Sequence, residues 1–330
     1  MSWKILVTGG AGFIGSVVTE QLVVEGHDVV VLDTLKYGFR AAVTPPARLV
    51  CGDILDEALL DQLFRQERFD AVAHLAAEAS IDDSIRDPGL YYRVNLSGGL
   101  SLLSAMVRWG VKRTVFSSTA AVYGQPEAVP IVEDAPTVPC NPYGDSKLAF
   151  EHVLAWFRRA HGLKYVSLRY FNACGATARC GESRKHETHL IPIALAAALG
   201  QRESLSLFGT DYDTPDGTCI RDYVHVADIA RAHVLALAAM DRIEARTYNL
   251  GSGAGYSNLE VIETVKEVTG RQFPVIHAGR RPGDPARLVA DASRIRGELG
   301  WEPALPELRS MVQTAWQWRL QHPHGYSPTV

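Results

Sequence analysis

Short, nearly unbroken apolar runs alternate with longer stretches of helical period through the first half of the chain. The runs fall at residues 3–8, 28–32, 48–51, 70–74, 112–117 and 164–170. Runs this short, with little polar alternation, predict strands buried on both faces of a parallel sheet covered by helices. Helical periodicity lies between them, strongest at about 88–108 and 144–160. Val17, Val18 and Leu22 give the segment after the first run an apolar face, and Gly26 predicts its stop. The pattern is that of an α/β protein with a doubly wound parallel sheet of Rossmann type. After residue 172 the regularity fades. Gly175 to His186 is polar, Thr210 to Gly217 is turn-rich, and residues 279–285 form another loop. A smaller, loop-rich C-terminal lobe is expected there, with ligand binding a natural use for its loops.

The first run breaks into Gly9, Gly12 and Gly15, spaced three apart. Strand, glycine turn and helix in that order place free backbone N–H groups where a pyrophosphate can sit. Phe13 and Ile14 lie in the same turn. The second run ends at Asp33, an acid suited to ribose hydroxyls and repulsive to a 2′-phosphate, which favours NAD over NADP. The plainer reading is three turn glycines and a capping aspartate. Asp53, before Ile54, suits the adenine amino group or the N-cap of the next helix, although Asp56 caps equally well. Leu75, Ala76 and Ala77 follow His74 at the end of the fourth run and are small enough for backbone to approach phosphate. Asn95 interrupts an apolar helix, where an amide needs a partner; a structural amide is the alternative.

Composition narrows the class. With 330 residues, 47% hydrophobic, the chain fits one large or two modest domains. A net charge of −4 gives no reason to expect nucleic acid or an anionic membrane. No long apolar span or signal-type segment is visible, so a cytoplasmic protein is expected. The five cysteines lack any C-x-x-C pair, which predicts reduced thiols and no zinc site. His186 and His189 stand three apart, with no evident third ligand, and are read as surface or pocket histidines. No metal is expected.

The chemistry centres on Ser117-Ser118-Thr119 and on Tyr143 with Lys147. Of twelve tyrosines, only Tyr143 has a lysine four residues later. A free phenol titrates near ~10, too high for a base at neutral pH. A lysine ammonium and a positive nicotinamide ring nearby would lower it. Thr119 suits hydrogen bonding to a substrate hydroxyl. Taken singly, Tyr-x-x-x-Lys is an ordinary helix pair and Ser-Ser-Thr an ordinary strand end. Their joint occurrence after a dinucleotide-binding pattern favours catalysis.

These residues carry a family resemblance. Val7 to Gly15, Ser117 to Gly124, Asn141 to Lys147, Leu168 to Asn172, Glu187 to Pro192, Phe208 to Tyr212 and Asp216 to Val226 are similar to the extended short-chain dehydrogenase/reductases. Within them the chain resembles the UDP-glucose 4-epimerase branch over nearly its whole length. The resemblance implies a tightly bound NAD, a UDP-sugar substrate and a homodimer joined through the two strongest helices. It implies an NAD-binding domain over 1–172, with a return at about 222–250, and a substrate lobe over 173–221 and 251–330. By motif, Gly9, Gly12 and Gly15 hold the pyrophosphate, Asp33 the adenosine ribose, and Asp53 and Ile54 border the adenine. Tyr143 is the base, Lys147 holds the nicotinamide ribose, Thr119 shares the proton relay, and Ser117 and Tyr170 lie by the nicotinamide. Asn95 braces the region. Asn172, His189, Leu190, Phe208, Arg221, Arg281 and Asp284 match positions that grip the UDP-sugar. The arginines have an independent rationale, since diphosphates suit bidentate guanidinium forks. A surface salt bridge is the alternative for either one alone.

Two departures are visible. Many of these epimerases carry a lysine after the His-x-Ala segment, where this chain has Glu78-Ala79-Ser80. Leu288 also stands where a larger aromatic can wall the sugar pocket. The first departure resembles sugar-nucleotide dehydratases, but those enzymes place an acidic pair directly after the threonine. Ala120 and Ala121 stand there and cannot transfer protons. Other UDP-sugar 4-epimerases, or a non-catalytic NAD-sensing protein, are the remaining alternatives.

Overall fold

A computed structural model describes residues 2–184, 187–281 and 283–326. The elements run β1 (Lys4–Thr8), α1 (Phe13–Val24), β2 (Asp28–Asp33), β3 (Arg48–Cys51), α2 (Glu57–Glu67), β4 (Ala71–His74), α3 (Ile81–Arg86) and α4 (Pro88–Tyr91). They continue with α5 (Gly99–Arg108), β5 (Arg113–Thr119), α6 (Pro142–His161), β6 (Lys164–Tyr170) and β7 (Asn172–Cys174). Then follow α7 (Leu190–Ala198), β8 (Leu205–Phe208), β9 (Ile220–Arg221), β10 (Tyr223–His225), α8 (Val226–Ala239) and β11 (Ala245–Leu250). The last are β12 (Tyr256–Ser257), α9 (Asn258–Thr269), β13 (Val275–Ala278), β14 (Arg287–Leu288), α10 (Ser293–Leu299) and α11 (Leu308–Gln321).

Seven strands form one sheet in the order β11-β6-β5-β4-β1-β2-β3, every pair parallel. The six apolar runs are its first six strands. Strand order reverses between β1 and β4, and the crevice at such a switch is where open α/β sheets bind ligands. One face buries Val17, Val18 and Leu22 of α1 with Ile229, Ala232 and Ala236 of α8; the other buries Leu60, Phe64, Leu102, Met106, Phe150 and Leu154. A separate core in the second lobe gathers Ile191, Leu195, Val261, Val265, Met311 and Val312. After β10 the chain returns through α8 to place β11 beside β6.

Two differences from the expected boundaries bear on the site. β5 runs on to Thr119, because its ladder with β6 continues through Ser118 opposite Arg169 and Thr119 opposite Tyr170. The rod expected at 88–108 is not uniformly α-helical: Tyr92–Gly98 is a π-turn between α4 and α5. Such turns recur at functional sites, and this one contains Asn95. α6 begins with Pro142 behind the Asn141 cap, whose side chain accepts from Gly144 N at 2.9 Å, and stops at Gly162 in the left-handed region.

Candidate functional site

The turn after β1 is shaped by what its glycines exclude. A Cβ on Gly15 would stand 2.1 Å from the Gly9 carbonyl oxygen, and one on Gly9 would stand 2.6 Å from Ala76 N. Only glycine permits so close an approach. Gly12 differs: its Cβ would meet only the Gly9 oxygen, at 3.4 Å, leaving the mouth of the turn open. Gly12 is also the N-cap of α1 and gives it no side-chain cap. The first-turn N–H groups, at Phe13, Ile14 and Gly15, are therefore available to an anion, and the helix dipole favours one. The turn fits a pyrophosphate.

Asp33 ends β2 beside it. Its two carboxylate oxygens accept from Ala11 N at 3.0 Å and Leu35 N at 2.8 Å, leaving lone pairs for ribose hydroxyls. Burial raises its pKa. Asp53 accepts from Leu55 N, whereas Asp56 is the residue that caps α2 through Leu59 N. Ile54 is buried beneath. Across the switch point, Leu75, Ala76 and Ala77 follow β4. His74 pairs Nδ1 with Thr8 Oγ1 at 2.7 Å, and burial lowers its pKa to about 3, so it stays neutral. Asn95 braces this edge: Oδ1 accepts from Glu78 N, and Nδ2 donates to Glu78 O and Ser146 Oγ. It thus ties the loop after β4 to α6.

At the end of β5, Lys147 Nζ donates to the Ser117 carbonyl at 2.8 Å and sits 4.8 Å over the Phe116 ring. Tyr170 donates to the Ser117 hydroxyl. Tyr143, one turn before Lys147, stands close enough to the Thr119 hydroxyl for the two to interact. The lowering expected from the lysine ammonium is not found: burial raises the phenol's pKa, and Thr119 and Arg184 pull the other way. Lys147, whose ammonium is held at β5, is not among the groups acting on it. Buried itself, it falls to about 7, with Glu151 opposing the fall.

The second lobe supplies the other candidates. Arg221 on β9 lies opposite Leu288 on β14, and its guanidinium donates to Pro285 O at 2.8 Å and pairs with Asp284 at 3.5 Å. Arg281 stacks on Phe208, 4.0 Å from the ring centre. Asn172 donates to Asp222 O, one residue from Arg221. Leu190 starts α7, and His189 pairs with Glu182 at 2.8 Å. The expectation that no third ligand-type residue stands near His189 is also corrected. Glu182, Glu187 and His189 place ligand atoms within 4.8 Å of one another. Arg184, 3.0 Å from Glu182, makes this an ion-pair cluster. His186 lies outside the described residues.

Sequence reading missed the support behind Lys147. Arg169 on β6 grips both oxygens of Glu151, at 3.0 and 2.6 Å, and donates to the Tyr123 hydroxyl, which donates to Asn249. Ser118 Oγ also donates to Glu151. A signal existed: Tyr143, Lys147 and Glu151 are spaced four apart on one helix face. Arg184 had no comparable signal.

Residues 5–251 match the NAD dependent epimerase/dehydratase family. The chain belongs to that family. It is 50% identical over 327 residues to the UDP-glucose 4-epimerase of Streptomyces lividans, covering 99% of each chain. The structure of the Bifidobacterium longum UDP-glucose 4-epimerase in complex with NAD+ and UDP superposes with TM-score 0.94 at 38% identity, covering 98% of this chain and 100% of that one. The UDP-Glc/GlcNAc 4-epimerase of Campylobacter jejuni superposes with TM-score 0.86 at 39% identity, covering 97% and 100%. Among the described residues, no helix is long and apolar enough to cross a membrane.

Proposed function

We propose that this protein inverts C4 of a UDP-hexose, interconverting UDP-glucose and UDP-galactose. One observation carries the reading: Tyr143 faces Thr119 at the end of β5, with Lys147 anchored there to the Ser117 carbonyl, and the residues after Thr119 are Ala120 and Ala121. Proton transfer at one hydroxyl is provided for. The threonine is followed by no acid or base of the kind that elimination of water would need.

When bound, NAD supplies a hydride acceptor at C4 and returns the hydride, so the sugar passes through a 4-keto form. Gly9, Gly12, Phe13, Ile14 and Gly15 hold the pyrophosphate, and Asp33, Asp53 and Ile54 hold the adenosine half. Leu75, Ala76 and Ala77 border the dinucleotide, and Asn95 keeps their loop in place. Ser117, Lys147 and Tyr170 receive the nicotinamide half. Tyr143 removes the C4 hydroxyl proton, aided by Thr119, and restores it after the sugar has turned. A charged ligand next to Lys147 resets the balance that burial alone imposes on both groups. Arg221 and Arg281 hold the diphosphate, while Asn172, His189, Leu190, Phe208, Asp284 and Leu288 enclose the nucleotide and sugar. The division expected at 1–172 with 222–250, and 173–221 with 251–330, places this crevice between the two parts.

Leu288 sets the room available at C2. It is partly buried, packed against the cluster that contains Val122, Phe171 and Ala290. An acetamido group is larger than a hydroxyl and must swing as the keto sugar turns, so a UDP-N-acetylhexosamine is expected as a second substrate. Leu288→Tyr would overfill this wall. Overpacking costs ~1–3 kcal/mol, so the N-acetylated substrate should lose roughly tenfold in kcat/KM while UDP-glucose changes little. NMR analysis of a UDP-sugar panel, pentose and hexuronate included, tests both the reaction and its range. Equal effects on both sugars would place specificity elsewhere in the lobe.

A cytosolic homodimer completes the proposal. Its five free cysteines suit a reducing compartment. Leu100 and Val107, seven residues apart on one face of α5, and Trp156 on α6 are apolar and exposed, which supports pairing of these helices across a twofold.

A further inference from the structure

The glycine turn lies between two loops. On the β4 side, the Gly9 Cβ position meets Leu75 and Ala76; on the β2 side, a Cβ on Gly38 would come within 2.9 Å of Ala11 and Asp33. β1 sits between β4 and β2 in the sheet, so any contact joining those loops must cross above the turn. One does. Lys36 Nζ, from the loop after β2, meets Glu78 Oε1, from the loop after β4, at 2.5 Å. Two strand spacings, about 10 Å, separate the parent strands, a gap that two long side chains and their loops can close.

The two ends of this bridge differ. The Glu78 side chain is only 9% exposed, and its backbone is fixed on both sides by Asn95. Lys36 is 49% exposed and reaches across from the opposite loop. A fixed, desolvated carboxylate meeting a flexible ammonium makes a contact that opens from the lysine side. A surface pair would count for little, but burial of one partner removes much of the screening.

We propose that Lys36 and Glu78 form a clasp over the pyrophosphate, setting how slowly NAD leaves. This rests on the reading of the glycine turn as the pyrophosphate site. Asp33 and Asp53 lie on the β2–β3 side, and Ser117, Lys147 and Tyr170 on the β4–β5–β6 side. A dinucleotide spanning both sides runs through its middle at β1, where the bridge crosses. Release then requires the bridge to open. Glu78 is acidic, so at this position it supplies no cation of its own; it recruits one from the facing loop.

The test measures cofactor exchange, independently of sugar turnover. Purified Lys36→Met, Glu78→Gln and the charge-exchanged Lys36→Glu/Glu78→Lys protein are each loaded with labelled NAD and chased with excess unlabelled NAD. Thermal unfolding at saturating NAD reports whether each variant is folded. Hydrogen bonds between charged groups are stronger than neutral ones, so each single variant should release NAD on the order of tenfold faster. The exchanged pair should return to within about threefold of the wild-type rate. Added salt should speed release from the wild type and have less effect on Lys36→Met. Wild-type release rates in either single variant would overturn the clasp. So would an exchanged pair as leaky as the singles, which would assign the effect to the charge of Lys36 alone. A wild-type protein that binds no NAD would instead remove the cofactor reading beneath it.

Discussion

Tyr143→Phe should lower turnover of a UDP-hexose by ~10²–10⁴-fold, the usual contribution of a general acid–base group. The substitution removes one oxygen and leaves the ring, which packs edge-on against Tyr91 with centroids 6.4 Å apart. The glycine turn, Asp33 and the Lys147–Ser117 contact are untouched, so bound NAD should remain at the wild-type ratio. Thr119→Ala should act in the same direction but less, because the phenol survives and only the neighbouring hydroxyl is lost. The hydroxyl of Thr119 also accepts from Ala121 N at 3.1 Å, so part of its loss will be a loosened turn. Measuring kcat and NAD content together separates chemistry from cofactor loss. Near-wild-type turnover in Tyr143→Phe would remove the central assignment, and loss of NAD would recast Tyr143 as a cofactor ligand.

The second large effect concerns stability. Arg169 and Glu151 are each only 7% exposed in their side chains and form a two-pronged pair beneath the catalytic helix. Arg169→Met leaves a buried carboxylate with the Ser118 hydroxyl as its remaining partner. Breaking a buried pair from one side costs ~3–5 kcal/mol, a large share of the ~5–15 kcal/mol that holds a typical protein folded. Glu151→Gln should cost less, because Arg169 retains the Tyr123 hydroxyl and the Glu133 carbonyl as acceptors. Combining Arg169→Met with Glu151→Leu should recover much of the loss, since no charge is then stranded. Denaturant unfolding of these variants, and of Glu151→Leu alone, tests this order. A single-variant loss below about 1 kcal/mol, or a double variant as unstable as the sum of its parts, would show that the pair does not carry the load assigned to it.

How far the sequence revealed the molecule depends on how local each signal was. β1, β2, β4, β5 and β6 were legible because they are mostly buried on both faces, leaving apolar runs with little alternation to confuse them. β11, with its polar Arg246, Thr247 and Asn249, left no such run. The glycine turn was legible because steric exclusion by the Gly9 carbonyl and the Ala76 backbone permits only one residue type. The π-turn around Asn95 was not, since its cause is tertiary: hydrogen bonds to Glu78 and Ser146, 17 and 51 residues away. The second lobe was harder still. Its strands are two to four residues long, and β9 is held between β12 and β14, segments far apart in the chain. Pairings of that kind leave no period to read.

The electrostatics were the least legible part. Tyr-x-x-x-Lys suggests an ammonium acting on a phenol, yet the fold aims Lys147 at a backbone carbonyl and lets burial raise Tyr143. Likewise Glu78 looks like the loss of a cation until Lys36 is found across the turn. Arg184 acts on the charge of Tyr143 through space, from a loop whose polar composition predicted only irregular structure.

The central claim is that this chain inverts a hydroxyl while its cofactor stays in place. The direct measurement is to incubate the purified protein with UDP-galactose and no added NAD, following the sugar by NMR and free NADH by absorbance. UDP-glucose should accumulate to equilibrium over many turnovers per chain, with no NADH released. Release of one NADH for each sugar consumed, or the appearance of a dehydrated sugar nucleotide, would contradict it.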